Sequence, residues 1–287
     1  MRRWRSGVTY TLASAGLLGL ALTLAPLPGA THELTAVAAP KLETAAAPIE
    51  PSSAKAAPGL GQQLPRLGRA LRATQTAKVL AIGSSSTVGV GASSPALTYT
   101  ARLEVDLEKA LVGTDFDVVS HGLGGEVAQG AADRMKREVE EVKPDLVIWQ
   151  VGTNDAFRHV AIENFKNCLR KTLTWLKEQQ IDVILINPQY GVQLIKDTYY
   201  EDMVNAVAEV ARDTGVLLLD RFQFMKKLQR EHTDRAYLSA DNLHMNDEGY
   251  RCLAEELAAT IIKALPQPAQ TTASVLAPAT QSEFSFP

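Results

Sequence analysis

The chain has 287 residues, of which 46% are hydrophobic and 21% charged, and its formal net charge is -3 at pH 7. This length and composition indicate a globular protein with one sizeable core rather than two. The near balance of charge, with no basic stripe carrying interleaved aromatic residues, argues against nucleic-acid binding. The two cysteines, Cys168 and Cys252, are too few for a disulfide framework and lie outside any metal-ligand spacing. We expect both to be buried free thiols in helices.

The N-terminus has the features of an export signal. Three arginines within the first five residues precede the apolar stretch 8–27, which contains no charged residue. Small residues follow, and cleavage after Ala30 or Ala38 would suit a signal peptidase. These features predict a signal peptide over 1–38 and an exported protein, periplasmic or extracellular. An anchor formed by the uncleaved signal is the alternative, because the apolar stretch is almost long enough to span a bilayer.

Two regions have a composition unlike that of a folded core. Residues 39–76 are rich in Ala and Pro and show no sustained helical or strand period, which predicts a disordered linker. Residues 266–287 have the same character and are predicted to be a disordered tail. The folded domain is therefore expected over 77–265, a usual size for a single domain.

Short apolar runs alternate with longer amphipathic segments between the linker and the tail. The predicted strands are 78–82, 116–120, 145–151, 182–187 and 216–220, and the predicted helices are 98–111, 126–142, 161–179, 198–214 and 246–264, the last with Asn246 as its N-cap. This alternation predicts an α/β fold, a three-layer α/β/α sandwich around a five-stranded parallel sheet. In such sheets ligands bind outside the carboxyl ends of the strands.

A segment rich in glycine and serine, 83–91, follows the first predicted strand. Its small residues allow a tight turn that exposes a hydroxyl group together with backbone N–H groups. A phosphate-binding loop is an alternative, but the segment lacks the Gly-Lys-Ser/Thr ending of a Walker loop and the G-x-G-x-x-G dinucleotide fingerprint. Taken alone, the segment is equally compatible with a turn that has no chemical role.

The next two strand ends carry groups suited to binding an anion. Glycines in 121–126 let backbone N–H groups point into a site at the start of a helix, where an anion is favoured. The segment 152–155 contains Asn154, whose amide can donate a hydrogen bond to a developing oxyanion. Each has a plain alternative: a turn that needs positive φ for the first, and a helix cap for the second.

An Asp-x-x-His sequence precedes the last predicted helix. The carboxylate of Asp241 lies three residues before His244, so it can accept a hydrogen bond from Nδ1 of the ring. That bond would fix the tautomer and leave Nε2 to take a proton from a serine. The chain has five histidines, and His244 is the one with a carboxylate so close in a loop of this kind.

These four segments together resemble the sequence blocks of the SGNH/GDSL hydrolases (GDSL-like lipases and acylhydrolases). The matching residues, in the order of the family, are Gly83-x-Ser85-x-Thr87, Gly125, Gly152-Thr153-Asn154-Asp155 and Asp241-x-x-His244. They span nearly the whole predicted domain. The resemblance implies a flavodoxin-like sandwich and hydrolysis of carboxyl esters.

The resemblance also implies a role for each matched residue. Ser85 would be the nucleophile, His244 the general base and acid, and Asp241 the carboxylate that orients it. The oxyanion hole would consist of the backbone N–H groups of Ser85 and Gly125 and the side-chain amide of Asn154. Neither a metal nor a cofactor is implied.

Two positions depart from the family pattern. Ser84 stands where an aspartate is common, which leaves three adjacent serines and makes Ser84 an alternative nucleophile. His121 stands in the block before Gly125, where the family often has Asn-Arg-Gly, and is either a substrate contact or a turn residue.

The loop after the fourth predicted strand is expected to shape the substrate pocket through Pro188, Gln189 and Tyr190. Short acyl groups, such as acetyl esters on envelope or exported glycans, are the predicted substrates. A lysophospholipid or thioester substrate is an alternative within the family. A non-catalytic glycan-binding domain and a flavodoxin-like nucleotide binder are alternatives of other classes. We expect a monomer that contacts the membrane only through an uncleaved signal.

Overall fold

A five-stranded parallel sheet forms the centre of the computed structural model, which describes residues 63–266. The strands are β1 (Thr76–Gly83), β2 (Asp115–Gly122), β3 (Leu146–Gln150), β4 (Asp182–Ile186) and β5 (Leu217–Leu219), in the spatial order β2-β1-β3-β4-β5. Every neighbouring pair is parallel, with Val79 of β1 beside Val118 on one side and Leu146 on the other. The predicted strands and sheet are confirmed, with strand ends that differ from the prediction by at most two residues.

Helices form a layer on each face of this sheet. The α-helices of the described residues are α1 (Pro65–Thr74), α2 (Ser85–Val88), α3 (Tyr99–Ala110), α4 (Ala128–Val142), α5 (Thr153–Phe157), α6 (Ile162–Glu178), α7 (Thr198–Thr214), α8 (Arg221–Glu231) and α9 (Asp247–Ala264). Helices α1, α3 and α9 pack on one face, and α4, α6 and α7 on the other. In β1, Val79 belongs to the first core layer and Leu80 to the second, as the alternation of strand side chains requires. The predicted three-layer α/β/α sandwich is therefore confirmed.

The five predicted helices correspond to α3, α4, α6, α7 and α9, and the Asn246 side chain caps α9 by accepting a 2.9 Å hydrogen bond from Gly249 N. Helix α8 was not predicted. Only two of its apolar side chains, Phe222 and Met225, are buried, whereas Phe224 and Leu228 are partly buried against the core. Such a short apolar stripe gives a weak helical period.

The two cysteines are unpaired, as predicted. Cys252 of α9 is buried, whereas Cys168 of α6 is only half-buried, so the expectation of full burial is correct for Cys252 alone.

The linker prediction for 39–76 is wrong over its last part, because α1 belongs to the folded unit. Leu67 is completely buried, and its backbone N–H donates a 2.9 Å hydrogen bond to Asp182 Oδ2 of β4. Leu64 is buried as well, and its N–H donates to the carbonyl of Ala264 at the end of α9. Leu64, Leu67 and Leu71 have helical spacing, which the surrounding Ala and Pro residues obscured in the sequence.

The predicted signal peptide, the linker up to residue 62 and the tail from residue 267 lie outside the described residues. Between residues 63 and 266, no helix combines the length and apolarity needed to cross a bilayer.

We expect Leu67→Ala to lower the free energy of unfolding by about 2–5 kcal/mol, because it removes a fully buried side chain and leaves a cavity between α1 and the sheet. Chemical denaturation measures this change. The exposed Arg72→Ala variant in the last turn of α1 is the control and should shift the free energy by less than about 0.5 kcal/mol. A Leu67→Ala protein as stable as the wild type would contradict the packing of α1.

Candidate active site

A hydrogen-bonded chain of three side chains lies at the carboxyl edge of the sheet. Ser85 begins α2 two residues after the end of β1, and His244 lies just before α9. The distance between His244 Nε2 and Ser85 Oγ is 2.9 Å, and that between His244 Nδ1 and Asp241 Oδ2 is 2.6 Å. Ser85 is half-buried, so its hydroxyl group remains accessible from outside. This is the geometry in which an imidazole can accept a proton from a serine hydroxyl group.

The neighbouring serines point elsewhere. Ser84 is 4% exposed, and both its backbone N–H and its hydroxyl group donate to Oε1 of Gln150, each at 3.2 Å. Ser86 is 3% exposed. Of the three adjacent serines, Ser85 is therefore the one whose hydroxyl group meets the imidazole.

A close contact between two loops brings Ser85 and His244 together. Gly91, in the loop after α2, has φ +95°, and a Cβ atom at this position would lie 2.3 Å from the carbonyl oxygen of Met245. Only glycine fits this approach without strain. The Tyr250 hydroxyl group of α9 donates a 2.7 Å hydrogen bond to the carbonyl of Val90. The loop that follows the serine is thus fixed against the segment that carries the histidine.

Asp241 accepts hydrogen bonds from several donors of its own loop besides His244. The backbone N–H groups of Leu243 and His244 donate to Oδ1 at 2.9 Å each, and the Ser239 hydroxyl group donates at 2.7 Å. The bond from His244, aided by the Leu243 N–H and Ser239, holds the pKa of Asp241 well below its usual range. Asp241 therefore keeps its negative charge when the neighbouring imidazole gains a proton.

Three hydrogen-bond donors lie after β1, β2 and β3: the backbone N–H of Ser85, the backbone N–H of Gly125 and the side-chain amide of Asn154. The side-chain amide of Asn154 donates one hydrogen to the carbonyl of Glu126 at 2.9 Å, and an amide carries a second hydrogen. Gly125 has φ +75°, and its carbonyl accepts a 2.8 Å hydrogen bond from Arg158. Within residues 63–266, the backbone N–H groups of Ser85 and Gly125 have no hydrogen-bond acceptor.

An ion pair holds the loop that carries Gly125. Arg134 of α4 donates from Nε and Nη2 to the two carboxylate oxygens of Glu126, at 2.9 and 2.8 Å. It also donates from Nη2 to the carbonyl of His121 at 2.8 Å. The His121 ring is hydrogen-bonded to the carboxylate of Glu138, and His121 itself lies within β2. His121 is therefore not a turn residue, and its ring faces α4.

Asp155 joins the loop after β3 to the start of α4. It is 2% exposed, and its carboxylate accepts the Ala128 N–H at 3.0 and 3.2 Å. Burial raises the pKa of Asp155 to about 6, and the hydrogen bond from Ala128 opposes this rise. The residue after Asn154 thus anchors the helix that follows Gly125.

The expected pocket residues after β4 occupy two different environments. Pro188 and Gln189 are buried, so the prediction that they line an open pocket is wrong. Gln189 forms hydrogen bonds with three other polar groups of the interior, which explains its burial. Tyr190 is half-buried and lines a cavity of about 190 Å³ together with Tyr237 and Asn242.

Sequence reasoning missed the supporting polar residues. Gln150 ends the apolar strand β3, and Arg221 lies two residues after the end of the apolar strand β5. A polar residue at the carboxyl end of a parallel strand is a signal that could have identified both. Arg134 has no such signal, because it lies within an ordinary amphipathic helix. Among residues 63–266, no group of three or more His, Cys, Asp or Glu side chains could hold a metal ion.

The pKa of Asp155 predicts a pH-dependent stability. Because the folded value of about 6 exceeds the ordinary value of 3.8, folding favours the protonated form. The protonated carboxyl group of Asp155 therefore adds to the free energy of unfolding at about pH 4. This contribution, about 3 kcal/mol, is lost as the pH rises through 6.

Asp155→Asn should remove this part of the pH dependence, whatever its effect on absolute stability. Urea unfolding between about pH 4 and 7 measures the change. Asp133→Asn, at an exposed aspartate of α4, should leave the wild-type pH dependence intact. Equal pH dependence in the wild type and Asp155→Asn would contradict the assignment.

Comparison with known proteins places the chain in a family. The model of the non-GDSL lipase-like family matches residues 52–267, a span that begins before α1. An arylesterase of Vibrio mimicus is 25% identical over 197 residues, covering 66% of this chain and 90% of the relative.

Solved structures share the fold. The lipase/acylhydrolase from Enterococcus faecalis is 26% identical, with a TM-score of 0.57 over 66% of this chain and 97% of that chain. The acetyl xylan esterase AlAXEase is 23% identical, with a TM-score of 0.57 over 64% of this chain and 99% of that chain. The resemblance to SGNH/GDSL hydrolases is confirmed. The matching family is described as non-GDSL, and this chain has Ser84 where the GDSL pattern has an aspartate. The chain belongs to the non-GDSL lipase-like family and is a carboxyl-ester hydrolase of the SGNH type.

Proposed function

We propose that the hydrolase acts through a Ser85-His244-Asp241 triad and an acyl-enzyme. The observation that carries the proposal is the continuous chain from Ser85 Oγ to His244 Nε2, at 2.9 Å, and from His244 Nδ1 to Asp241 Oδ2, at 2.6 Å. A binding domain does not require an accessible serine beside an imidazole that is oriented by an ionised carboxylate.

The reaction proceeds in two halves. Ser85 Oγ attacks the ester carbonyl carbon while His244 Nε2 takes the hydroxyl proton, and the carbonyl π electrons move to the oxygen. The tetrahedral intermediate collapses, the C–O bond to the alcohol breaks, and His244 returns the proton to the leaving alkoxide. Water then attacks the acyl-Ser85 ester by the same steps, which releases the acid and restores the serine.

The negative oxygen of each intermediate would accept hydrogen bonds from Ser85 N–H, Gly125 N–H and the second amide hydrogen of Asn154. Such donors act strongly because they are positioned before the charge develops. Asp241 keeps the Nδ1–H tautomer of His244 and stabilises the imidazolium that forms during attack.

Ser85→Ala and His244→Ala should each lower kcat by several orders of magnitude with p-nitrophenyl acetate, and Asp241→Asn somewhat less. A fluorophosphonate probe, followed by mass spectrometry of the labelled peptide, should modify Ser85 in the wild type. Ser84→Ala is the control and should remain reactive towards the probe, because the Ser84 hydroxyl group is bonded to Gln150. Activity that survives in Ser85→Ala but not in Ser84→Ala would contradict the proposal, and so would a wild type without turnover or labelling.

As substrates we propose short acyl esters on exported or envelope glycans. The predicted signal peptide over 1–38 supports access to such glycans, either in the periplasm or outside the cell. The fold shared with an acetyl xylan esterase is compatible with this class of substrate.

A second candidate, an ester with a longer apolar acyl group, is favoured by the distribution of exposed apolar side chains. Seven large hydrophobic residues of the described part are exposed, and five of them follow β1, β2, β3 or β4 at the edge that carries the triad: Val88, Val90, Leu123, Phe157 and Val192. Exposed apolar groups concentrated beside a site indicate an apolar ligand.

A series of p-nitrophenyl esters from acetate to laurate, together with acetylated xylan, distinguishes the two candidates. If apolar chains bind beside Ser85, Val88→Ser should lower kcat/KM for the long esters about threefold to tenfold and leave acetate nearly unchanged. Val105→Ser on α3, at a valine that is 61% exposed, is the matched control. Preference for acetate and no effect of Val88→Ser would contradict the apolar candidate and favour the glycan esters.

A further inference from the structure

Arg221 is a cation in the interior of the protein. It is completely buried at the start of α8, and within residues 63–266 no carboxylate lies within salt-bridge distance of its guanidinium group. Nε donates to the carbonyl of Asn187 at 3.0 Å and Nη2 donates to Gln189 Oε1 at 2.8 Å, whereas Nη1 has no partner in the described part of the chain. Burial lowers the pKa of Arg221, but a guanidinium group stays protonated in proteins. A positive charge therefore lies beneath the carboxyl edge of the sheet, and no carboxylate of the described residues is paired with it.

The side chain of Gln189 is held in one orientation by its surroundings. Arg221 has only donors, so the amide oxygen of Gln189 must face it, and the same oxygen accepts from Thr153 Oγ1 at 2.9 Å. The amide nitrogen then faces the carbonyl oxygen of Leu243, which can only accept, at 3.1 Å. The side chain is 2% exposed, so water does not compete for these bonds.

Gln189 thereby connects two parts of the active site that are distant in sequence. Thr153 precedes Asn154, whose amide belongs to the oxyanion side of the site, and Leu243 precedes His244. The backbone carbonyl of Gln189 accepts a 2.8 Å hydrogen bond from Tyr200, which fixes its own main chain. Displacement of the Leu243 carbonyl would move the imidazole of His244 relative to Ser85. The hydrogen bond between His244 and Asp241 would be kept, because both residues belong to the same loop.

We infer that Gln189, oriented by Arg221, is a positioning residue that sets the distance between His244 and Ser85. The inference rests on the proposed triad. Neither residue touches the reacting atoms, so their effect on turnover is indirect and should appear in kcat rather than in KM.

Gln189→Glu separates positioning from a purely structural role. The glutamate has nearly the same shape, and the charge of Arg221 favours its ionised form. The buried guanidinium group gains a carboxylate partner, so we expect a melting temperature equal to or above that of the wild type. The hydrogen bond to Leu243 is replaced by the repulsion of two acceptors. We therefore expect kcat to fall about 10- to 100-fold, the effect of moving a catalytic group by about 1 Å. KM should stay within about threefold of the wild-type value.

Asn187→Asp is the matched control, with the same change of charge beside Arg221. The Asn187 amide donates to Asp220 at 2.8 Å and accepts from Phe222 N–H, and within residues 63–266 its side chain forms no hydrogen bond with the His244 loop. In Asn187→Asp the new carboxylate is repelled by that of Asp220, which should lower the melting temperature. We expect kcat to change by less than about threefold. The two variants thus have opposite expected effects on stability and on turnover.

The experiment measures the melting temperature, kcat and KM for the wild type and both variants with p-nitrophenyl acetate. An unchanged kcat in Gln189→Glu, or parallel losses of stability and kcat, would overturn the inference.

A neutral variant, Gln189→Met, provides a second test if the glutamate protein does not fold. It also lacks the donor to Leu243, and a folded Gln189→Met protein with wild-type kcat would overturn the inference. Failure of the proposed function is distinguishable, because a wild type that neither hydrolyses the ester nor reacts with the fluorophosphonate probe would overturn the triad and this inference with it.

Discussion

The contact between the loop after β1 and the segment before α9 is the constraint on which the site depends. Ser85 and His244 are separated by 159 residues, and their side chains meet at 2.9 Å because Gly91 allows its loop to approach the Met245 carbonyl. The packing of α9 on the same face as α3 holds this approach in place. A serine is a weak nucleophile by itself, so the chemistry of the family requires this contact to be maintained to within a fraction of an ångström.

Buried polar groups extend this constraint to the other loops of the edge. Gln150 holds Ser84, Asp155 holds the start of α4, and Gln189 lies between Thr153 and Leu243. Interior polar groups cost stability unless every donor and acceptor is paired, and paired groups restrict the geometry more narrowly than apolar contacts do. The edge therefore combines an apolar sheet, which supplies stability, with a few polar bridges, which supply precision.

The sequence was sufficient for the features that depend on local pattern. Apolar runs identified the five strands, and the Asp-x-x-His spacing identified a loop whose two side chains are bonded to each other. The remaining features depend on partners far along the chain. Gln189 resembled a pocket residue because its partner Arg221 lies on α8, a helix that the sequence did not predict. The selection of Ser85 among three serines depends on Gln150, and α1 was hidden by its Ala- and Pro-rich surroundings.

The most direct test of the site is a crystal structure of the protein inactivated with diethyl p-nitrophenyl phosphate, whose tetrahedral adduct mimics the intermediate of ester hydrolysis. Phosphorus should be bonded to Ser85 Oγ, with the phosphoryl oxygen about 2.7–3.1 Å from the N–H donors of Ser85, Gly125 and Asn154. An adduct on Ser84, or a phosphoryl oxygen directed away from these three donors, would contradict the assignment of the nucleophile and the oxyanion hole.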